Sequence, residues 1–188
     1  ALTTSSEGIG EVYAARYGLT PATIHNTFPL PPAPPDLVPA DGPLRIYWFG
    51  QTIGAGRGLE ELVQALARAA IPSSIHVRGR ADETFVPALA RAAAAAGVVL
   101  EVLPPLPPDE LVASGRGFHV GFAGEVPDVM NRDLCLSNKV LTYPLQGLAV
   151  VMTSTAGGAR LARDLGSGAL VYPPDDIGAL ADGLATWA

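Results

Sequence analysis

Residues 137–153, with the sequence SNKVLTYPLQGLAVVMT, predict a helix followed by a buried strand. Ser137 or Asn138 can cap the helix, because a short oxygen-bearing side chain accepts hydrogen bonds from the free N–H groups of the first turn. Gly147 stands where a left-handed residue would end the helix. The run LAVVM that follows is continuous and apolar, as expected of a strand that is covered on both faces of a parallel sheet.

The start of this helix is a candidate phosphate site. In open α/β sheets, the turn from a strand into a helix lies at the carboxyl edge of the sheet, where ligands bind. The free N–H groups at a helix N-terminus favour an anion, and Lys139 adds a full positive charge there. The alternative interpretation is an ordinary capped helix beside a solvated lysine.

Strands and helices alternate through the rest of the chain, with a helix expected over residues 82–96 and a last helix capped by Asp175. This alternation predicts a doubly wound parallel sheet with helices on both faces, which is a Rossmann-like α/β fold. Six apolar runs are predicted as its strands: 44–50, 74–79, 98–103, 118–122, 148–152 and 169–172.

Composition excludes several classes of protein. The 188 residues are 48% hydrophobic and carry a net charge of −6, which suits one α/β core. Lys and Arg form no stripe interleaved with aromatic residues, so a nucleic-acid partner is not expected. No apolar run approaches the ~20 residues of a transmembrane segment. The lone Cys135 and three scattered histidines predict neither a disulfide nor a metal site, and the single cysteine favours a cytoplasmic protein.

The chain divides into three parts. Residues 1–28 predict a short helix, capped by Ser5 or Ser6 and ended by Gly18, followed by a short strand. Residues 29–43 contain seven prolines in fifteen positions and predict an extended connector. Residues 44–188 form the Rossmann-like domain.

A glycine-rich loop, residues 50–58, is a second candidate site. Gly50 ends a predicted strand, where the lack of a side chain lets the backbone approach a phosphate. The glycines that follow have the spacing G-x-G-x-G and not the G-x-G-x-x-G of dinucleotide-binding proteins. Arg78 and Arg80 end the second strand where an acid would bind a ribose hydroxyl, which keeps an NADP-binding oxidoreductase domain open as an alternative. A flexible connection without a ligand is a further alternative.

Several of these motifs together resemble retaining GT-B glycosyltransferases. The residues from Asn138–Lys139 through Tyr143 and Gly147 to the strand AVVMT are similar to the family segment NK-x-x-E-Y-x-x-x-G-x-P-V-V. Residues 166–176 are similar to its G-x-G-x-L-V-x-P-x-D run, and Arg57 with the next glycine resembles its K-G turn. The resemblance covers residues 3 to 187 in order.

The resemblance implies that this chain is the C-terminal, nucleotide-sugar-binding domain of such an enzyme. The expected reaction is transfer of a sugar, with retention, from a nucleoside-diphosphate sugar to an unknown acceptor, without a further cofactor. The family binds its acceptor on a first domain, and residues 1–28 resemble the passage between the two domains. We therefore expect that the N-terminal domain is missing from this chain and is needed for transfer.

The resemblance also implies a set of donor-binding residues. Arg57 takes the position of a diphosphate-binding lysine, and a guanidinium can grip two phosphate oxygens at once. Leu106 aligns with the segment that borders the base. The expected donor-binding residues are Gly50, Gln51, Arg57, Leu106, Asn138, Lys139 and Thr142.

Two departures from the family pattern bear on catalysis. Gln51 replaces an arginine, which removes one diphosphate cation. Leu134 and Thr142 replace a pair of glutamates, of which the second holds the donor ribose; Thr142→Glu is therefore expected to tighten nucleotide binding. Glu125 is an acid in the preceding loop but has the wrong spacing for that pair. No catalytic residue is assigned, and a degenerate, non-catalytic binding or interaction module is the alternative function.

Overall fold

The computed structural model describes residues 1–35 and 42–188 of the chain. The predicted connector, residues 29–43, falls partly outside these ranges, because residues 36–41 are not among the described residues. The described part of it, over residues 30–35, has no regular helix or strand and lies against Pro144 and Leu145.

A small β-α-β unit forms the start of the chain. It consists of β1 (Thr3–Thr4), α1 (Glu7–Tyr17) and β2 (Ala22–Thr23), and its two strands pair in parallel. Ser6 caps α1 by accepting a hydrogen bond from the backbone of Ile9, and Gly18 ends the helix in the left-handed conformation. None of the side chains of α1 is fully buried, so this unit adds little to the core.

The main sheet has six parallel strands. The order across the sheet is β5-β4-β3-β6-β7-β8, so the chain winds outward in one direction from β3 and then outward in the other from β6. The strand order reverses between β3 and β6, and open α/β sheets bind ligands beside such a reversal. The strands are β3 (Leu44–Ile53), β4 (Ser73–Ala81), β5 (Val99–Leu103), β6 (Val120–Ala123), β7 (Ala149–Thr153) and β8 (Ala169–Tyr172).

Helices cover both faces of this sheet, as the alternating pattern predicts. One face packs against α2, α3 and α7, and the other packs against α5 and α6. Among the described residues, no helix is both long enough and apolar enough to cross a membrane. The helices are α2 (Leu59–Ala69), α3 (Phe85–Ala95), α4 (Met130–Leu134), α5 (Asn138–Thr142), α6 (Gly158–Leu165) and α7 (Ile177–Ala185).

Strand β3 shows why the core has two halves. Successive side chains of a strand point to opposite faces, so Ile46 and Trp48 join one hydrophobic cluster, and Tyr47 and Phe49 join the other. All four residues are buried, which explains why this run is apolar without interruption. The predicted Rossmann-like α/β fold is confirmed.

Two predicted helix starts differ from the structure. Asp176, not Asp175, caps α7, because its carboxylate accepts a hydrogen bond from the backbone of Ala179 at 2.9 Å. Asp175 instead adopts a left-handed conformation with φ +64°. At the start of α5, Ser137 holds the capping position but makes no capping hydrogen bond.

Helix α5 is also shorter than its apolar spacing suggests. The helix ends at Thr142 because Pro144 lacks the N–H that would continue the helical hydrogen bonds, although Tyr143 still has helical backbone angles. The chain continues as a 3-10 turn, Pro144–Gln146, and Gly147 then closes it in the predicted left-handed conformation. Helix α4 was not predicted, since five residues are too few to show a helical period.

The packing of Tyr143 on Gly121 yields a stability prediction. A Cβ built at Gly121 would overlap the Tyr143 ring, which is fully buried and donates a hydrogen bond to the carbonyl of Phe122 at 2.8 Å. We therefore expect Gly121→Ala to lower the free energy of unfolding by at least roughly 2 kcal/mol, as overpacking of a core does. Gly168→Ala is the matched control, because a Cβ there meets nothing within 4 Å. Denaturant unfolding measures both; equal stability of the two variants would contradict the described packing.

Candidate functional site

A cavity of about 870 Å³ opens at the carboxyl edge of the sheet, beside the reversal of strand order. Its walls include Phe49 and Gly50 of β3, Ala123 at the end of β6, and Met152 and Thr153 at the end of β7. The volume is in the range of cavities that hold small-molecule ligands, which is about 300–1,000 Å³. The cavity therefore has both the position and the size of a ligand site.

Two glycines bring the loops of this edge together. Gly58 has a left-handed backbone, with φ +68°, and a Cβ at this position would lie only 2.7 Å from the carbonyl oxygen of Gly124. A Cβ at Gly124 would overlap the ring of Phe122 and the hydroxyl oxygen of Tyr172. The absence of a side chain at Gly58 therefore allows the loops after β3 and β6 to approach, which places Arg57 next to Glu125. Its absence at Gly124 leaves room for Phe122 and Tyr172.

Glu125 binds two cations at once. One of its carboxylate oxygens accepts from Nη1 of Arg57 at 2.8 Å, and the other accepts from Nζ of Lys139 at 2.5 Å. The loop after β3, the loop after β6 and helix α5 each supply one member of this Arg57–Glu125–Lys139 cluster. Arg57 and Lys139, which the sequence predicts as phosphate-binding residues, therefore converge on one point of the cavity.

The cluster is shielded from water to different degrees. The side chains of Glu125 and Lys139 are 13% and 10% exposed, whereas that of Arg57 is 36% exposed. The ammonium of Lys139 also lies over the ring of Trp48, at 5.4 Å from its centroid, where the electron-rich face of an indole attracts a cation. Lys139 is therefore held between a carboxylate and an aromatic ring, and the interpretation of a solvated lysine does not apply.

Burial and charge shift the pKa values of this cluster. Burial alone raises the pKa of the Glu125 carboxyl, but the charges and hydrogen bonds of Lys139 and Arg57 outweigh it and leave the pKa below its ordinary value. Burial lowers the pKa of Lys139, and the charge of Glu125 opposes that shift. The carboxylate is thus ionised at neutral pH and serves as a counter-ion.

The cavity is strongly cationic although the whole chain carries a net charge of −6. Of the 12 Lys and Arg residues of the chain, five line it, whereas Glu125 is the acidic residue found among its described walls. Such an excess of positive charge favours an anionic ligand. The five cationic residues are Arg57, Arg78, Arg80, Arg132 and Lys139.

Six of the seven residues predicted to bind the donor line this one cavity. They come from three separate regions of the sequence and meet because parallel strands end at the same edge of the sheet. Whether they bind a nucleotide stays a prediction. The six are Gly50, Gln51, Arg57, Leu106, Asn138 and Lys139.

Thr142 and Leu134, which replace the family's glutamate pair, lie elsewhere. Thr142 is fully buried, is not part of the cavity wall, and its hydroxyl donates to the carbonyl of Asn138 at 2.8 Å. Leu134 packs near Gly8 of helix α1, and its carbonyl accepts a hydrogen bond from Ser6. Neither residue offers a polar group to a ligand as it stands.

Glu125 is the site residue that sequence analysis missed. Its spacing does not fit the glutamate pair, and the sequence alone does not show which cations lie near it. Its position was informative nonetheless, since it closely follows the end of a buried strand, β6, at the same edge of the sheet as Arg57 and Lys139. An acid at that edge is expected to meet the cations that follow the neighbouring strands.

Arg78 borders the cavity in a fixed orientation. Its Nε donates to the hydroxyl of Tyr47 at 2.9 Å, and its Nη1 donates to the carbonyl of Pro104 at 2.7 Å. Arg80 is exposed and makes a longer contact, of 3.5 Å, with the carbonyl of Gln51. Both partners of Arg78 are neutral, so its positive charge remains available to the cavity.

Within the described ranges, no group of three or more His, Cys, Asp or Glu side chains is arranged to hold a metal ion. Cys135 borders the cavity, and burial, together with the nearby charge of Glu125, raises the pKa of its thiol. A thiol with a raised pKa is a poor nucleophile, so Cys135 is assigned no reactive role.

No protein-family model and no curated protein matches this chain. Several solved structures do match this chain. A glycosyltransferase from Rickettsia africae has a TM-score of 0.76 at 12% identity, and the match covers 98% of this chain and 52% of that one. Anabaena Alr3699/HepE, solved with UDP and glucose, has a TM-score of 0.75 at 15% identity, with the same coverages of 98% and 52%.

The fold is that of one half of a GT-B glycosyltransferase. The catalytic domain of the cholesterol-alpha-glucosyltransferase from Helicobacter pylori also matches, with a TM-score of 0.59 at 14% identity, over 77% of this chain and 86% of that domain. These identities establish a shared fold. The GT-B half described here spans about half the length of the Rickettsia and Anabaena proteins, which is consistent with the C-terminal domain that the sequence predicts.

The burial of Thr142 changes what Thr142→Glu should do in this GT-B half. The substitution places an ionisable carboxyl where the wild-type side chain is fully enclosed, so we expect a loss of more than about 3 kcal/mol in unfolding free energy. Thr142→Val keeps the shape and loses only the hydrogen bond to Asn138, at roughly 1 kcal/mol. Denaturant unfolding compares the two. A stable Thr142→Glu variant with tighter nucleotide binding would show that the carboxylate reaches the cavity, as the family resemblance suggests.

The lowered pKa of Glu125 predicts a dependence of stability on pH. Because the folded state favours the ionised carboxylate, Glu125 stabilises the fold above the ordinary glutamate pKa, and this contribution disappears as pH falls through the lower folded-state pKa. The difference in unfolding free energy between wild type and Glu125→Gln should therefore be largest near neutral pH and shrink below about pH 4.3. A difference that stays constant from pH 7 to pH 3 would contradict an ionised Glu125 pairing with its cations.

Proposed function

We propose that this chain binds a nucleoside-diphosphate sugar in the cavity and forms the donor-binding half of a glycosyltransferase. The observation that carries the proposal is the convergence of Arg57 and Lys139 on a single carboxylate. Two cations that bind the two oxygens of one carboxylate are close enough together to bind neighbouring phosphate groups of one diphosphate.

The surrounding cavity supports the same ligand. Five cationic residues line it, and its apolar walls include Leu106 and Phe28, against which a base or a sugar can pack. The structure of Anabaena Alr3699/HepE, which shares this fold, was solved with UDP and glucose. The cavity is also large enough for a nucleotide, and it lies where open α/β sheets bind ligands.

The proposed chemistry is transfer of the sugar with retention of configuration: the bond from the sugar to the diphosphate breaks, a bond from the sugar to the acceptor forms, and the leaving diphosphate takes the proton that the acceptor loses. Negative charge develops on the leaving phosphate oxygen, and the preorganised charges of Arg57 and Lys139 stabilise it. These two side chains supply the positive charge that a metal ion would otherwise provide, so the proposed reaction uses no cofactor. In this proposal the acceptor comes from a partner domain, in line with the fact that the match covers 52% of the Rickettsia and Anabaena proteins.

A binding module without transferase activity is the second candidate. Leu134 and Thr142 favour it, because neither places a carboxylate in the cavity where the family resemblance expects two. This alternative shares the nucleotide site with the first proposal and differs only in the absence of turnover. An NADP-binding domain is the weaker alternative, since the glycines of the loop after β3 have the spacing G-x-G-x-G and not the G-x-G-x-x-G of dinucleotide-binding proteins.

Calorimetric titration with UDP, GDP, ADP and NADP tests the site. We expect at least one nucleoside diphosphate to bind, and Lys139→Ala to weaken that binding about tenfold, since a charge pair near a surface contributes roughly 1 to 4 kcal/mol. Arg91→Ala is the control: it removes the same charge from an exposed position on α3, outside the cavity, and should leave affinity unchanged.

The possible results separate the alternatives. Absence of binding by every nucleoside diphosphate would overturn the proposal. Tighter binding of NADP than of any nucleoside diphosphate would favour the oxidoreductase domain instead. Equal losses in the Lys139 and Arg91 variants would show that binding reflects overall charge and not this cavity.

A further inference from the structure

The Arg57–Glu125–Lys139 cluster contains a carboxylate at the point where the proposed diphosphate would bind. Each oxygen of Glu125 accepts from a different cation, so neither Arg57 nor Lys139 is left without an ion-pair partner. A diphosphate that binds both cations must meet this carboxylate, which has the same sign of charge. Nothing in the family resemblance assigns a role to an acid at this position.

The backbone of Glu125 is fixed, whereas its side chain can turn. Its N–H lies 3.0 Å from the carbonyl of Ala123 and 3.2 Å from Oγ1 of Thr153, and Thr153 donates back to the Glu125 carbonyl at 2.8 Å. The close contact between Gly58 and Gly124 immobilises the same loop from the other side. Rotation of the Glu125 side chain alone therefore frees the cations, without movement of the loop.

We propose that Glu125 is an internal counter-ion that the diphosphate of the donor displaces, so that this residue sets the affinity of the site. The proposal rests on the donor-binding function proposed above. In the empty site, Glu125 neutralises Lys139, whose side chain is only 10% exposed and would otherwise be a buried, unpaired charge. In the occupied site, the phosphate oxygens replace the two carboxylate oxygens, and Glu125 turns away.

This exchange has opposite consequences for stability and affinity. Removing the carboxylate leaves two cations unpaired, which destabilises the empty protein. The same change removes the competitor and a repulsive charge, so a diphosphate that supplies the missing partner binds more tightly. A residue that merely holds the two cations in position would have the opposite effect on affinity, because its loss would disorder them.

Glu125→Gln tests the proposal in the intact chain, with inorganic pyrophosphate and UDP as the probes. Calorimetry should show about tenfold tighter binding than in wild type, the order expected when a partly buried ion pair no longer has to be broken. The melting temperature without ligand should fall. Glu11→Gln is the matched control: it removes the same charge by the same substitution at an exposed position on α1, outside the cavity. We expect its affinity to stay close to that of wild type.

The results of these titrations distinguish the donor-binding function from the counter-ion role of Glu125. Binding by wild type with no gain, or with a loss, in Glu125→Gln would overturn the counter-ion role and leave the donor-binding function standing. No binding by either protein would overturn the donor-binding function and the present inference with it. A gain of the same size in Glu11→Gln would overturn the inference, because it would show an effect of overall charge.

A second variant covers the case in which Glu125→Gln does not fold. Glu125→Asp keeps the charge, but its side chain is one methylene shorter and cannot reach both cations as Glu125 does. We expect this variant to remain folded and to bind pyrophosphate more tightly than wild type, by less than the glutamine variant. Weaker binding by Glu125→Asp would overturn the inference. In a structure of the UDP complex, Glu125 should lie beyond ion-pair distance of Arg57 and Lys139; an unbroken cluster would likewise overturn it.

Discussion

The contact between the backbones of Gly58 and Gly124 is the constraint on which the rest of the site depends. A side chain at Gly58 would collide with the Gly124 carbonyl at 2.7 Å, so the loops after β3 and β6 can meet only because Gly58 lacks a Cβ. Their meeting closes one wall of the cavity and sets Arg57 beside Glu125. A backbone contact without any charge thereby determines where the charges of the site lie.

Much of the fold could be predicted from the sequence because its cause is local. The uninterrupted apolar run of β3 exists because Ile46 and Trp48 face one hydrophobic cluster while Tyr47 and Phe49 face the other. Gly147 ends its turn in the left-handed conformation, as a residue without a Cβ does at low cost. The ends of the helices were harder to predict. Asp175 and Asp176 have the same side chain, so either could cap α7, and only the backbone geometry distinguishes them.

Part of the cavity wall could be predicted from the sequence, but the pairing of its charged side chains could not. That Arg57 and Lys139 share one cavity follows from parallel strands, whose carboxyl ends lie at the same edge of a sheet. That Glu125 lies between them depends on the approach of two loops, over a sequence separation that no periodicity encodes. The burial of Thr142 depends similarly on the way α5 packs, so an alignment position could not reveal it.

A cationic site that is shielded from water requires a counter-ion in its empty state. Arg57, at 36% exposure, can be solvated, but Lys139, at 10% exposure, cannot be, and a buried charge without a partner would favour deprotonation or unfolding. The carboxylate of Glu125 meets this requirement from inside the cavity. The affinity of such a site for an anion is then a difference between two sets of ion pairs, those made with the ligand and those broken with Glu125. For this reason, Glu125 determines the affinity of the site as much as Arg57 or Lys139 does, although the sequence alone assigned it no role.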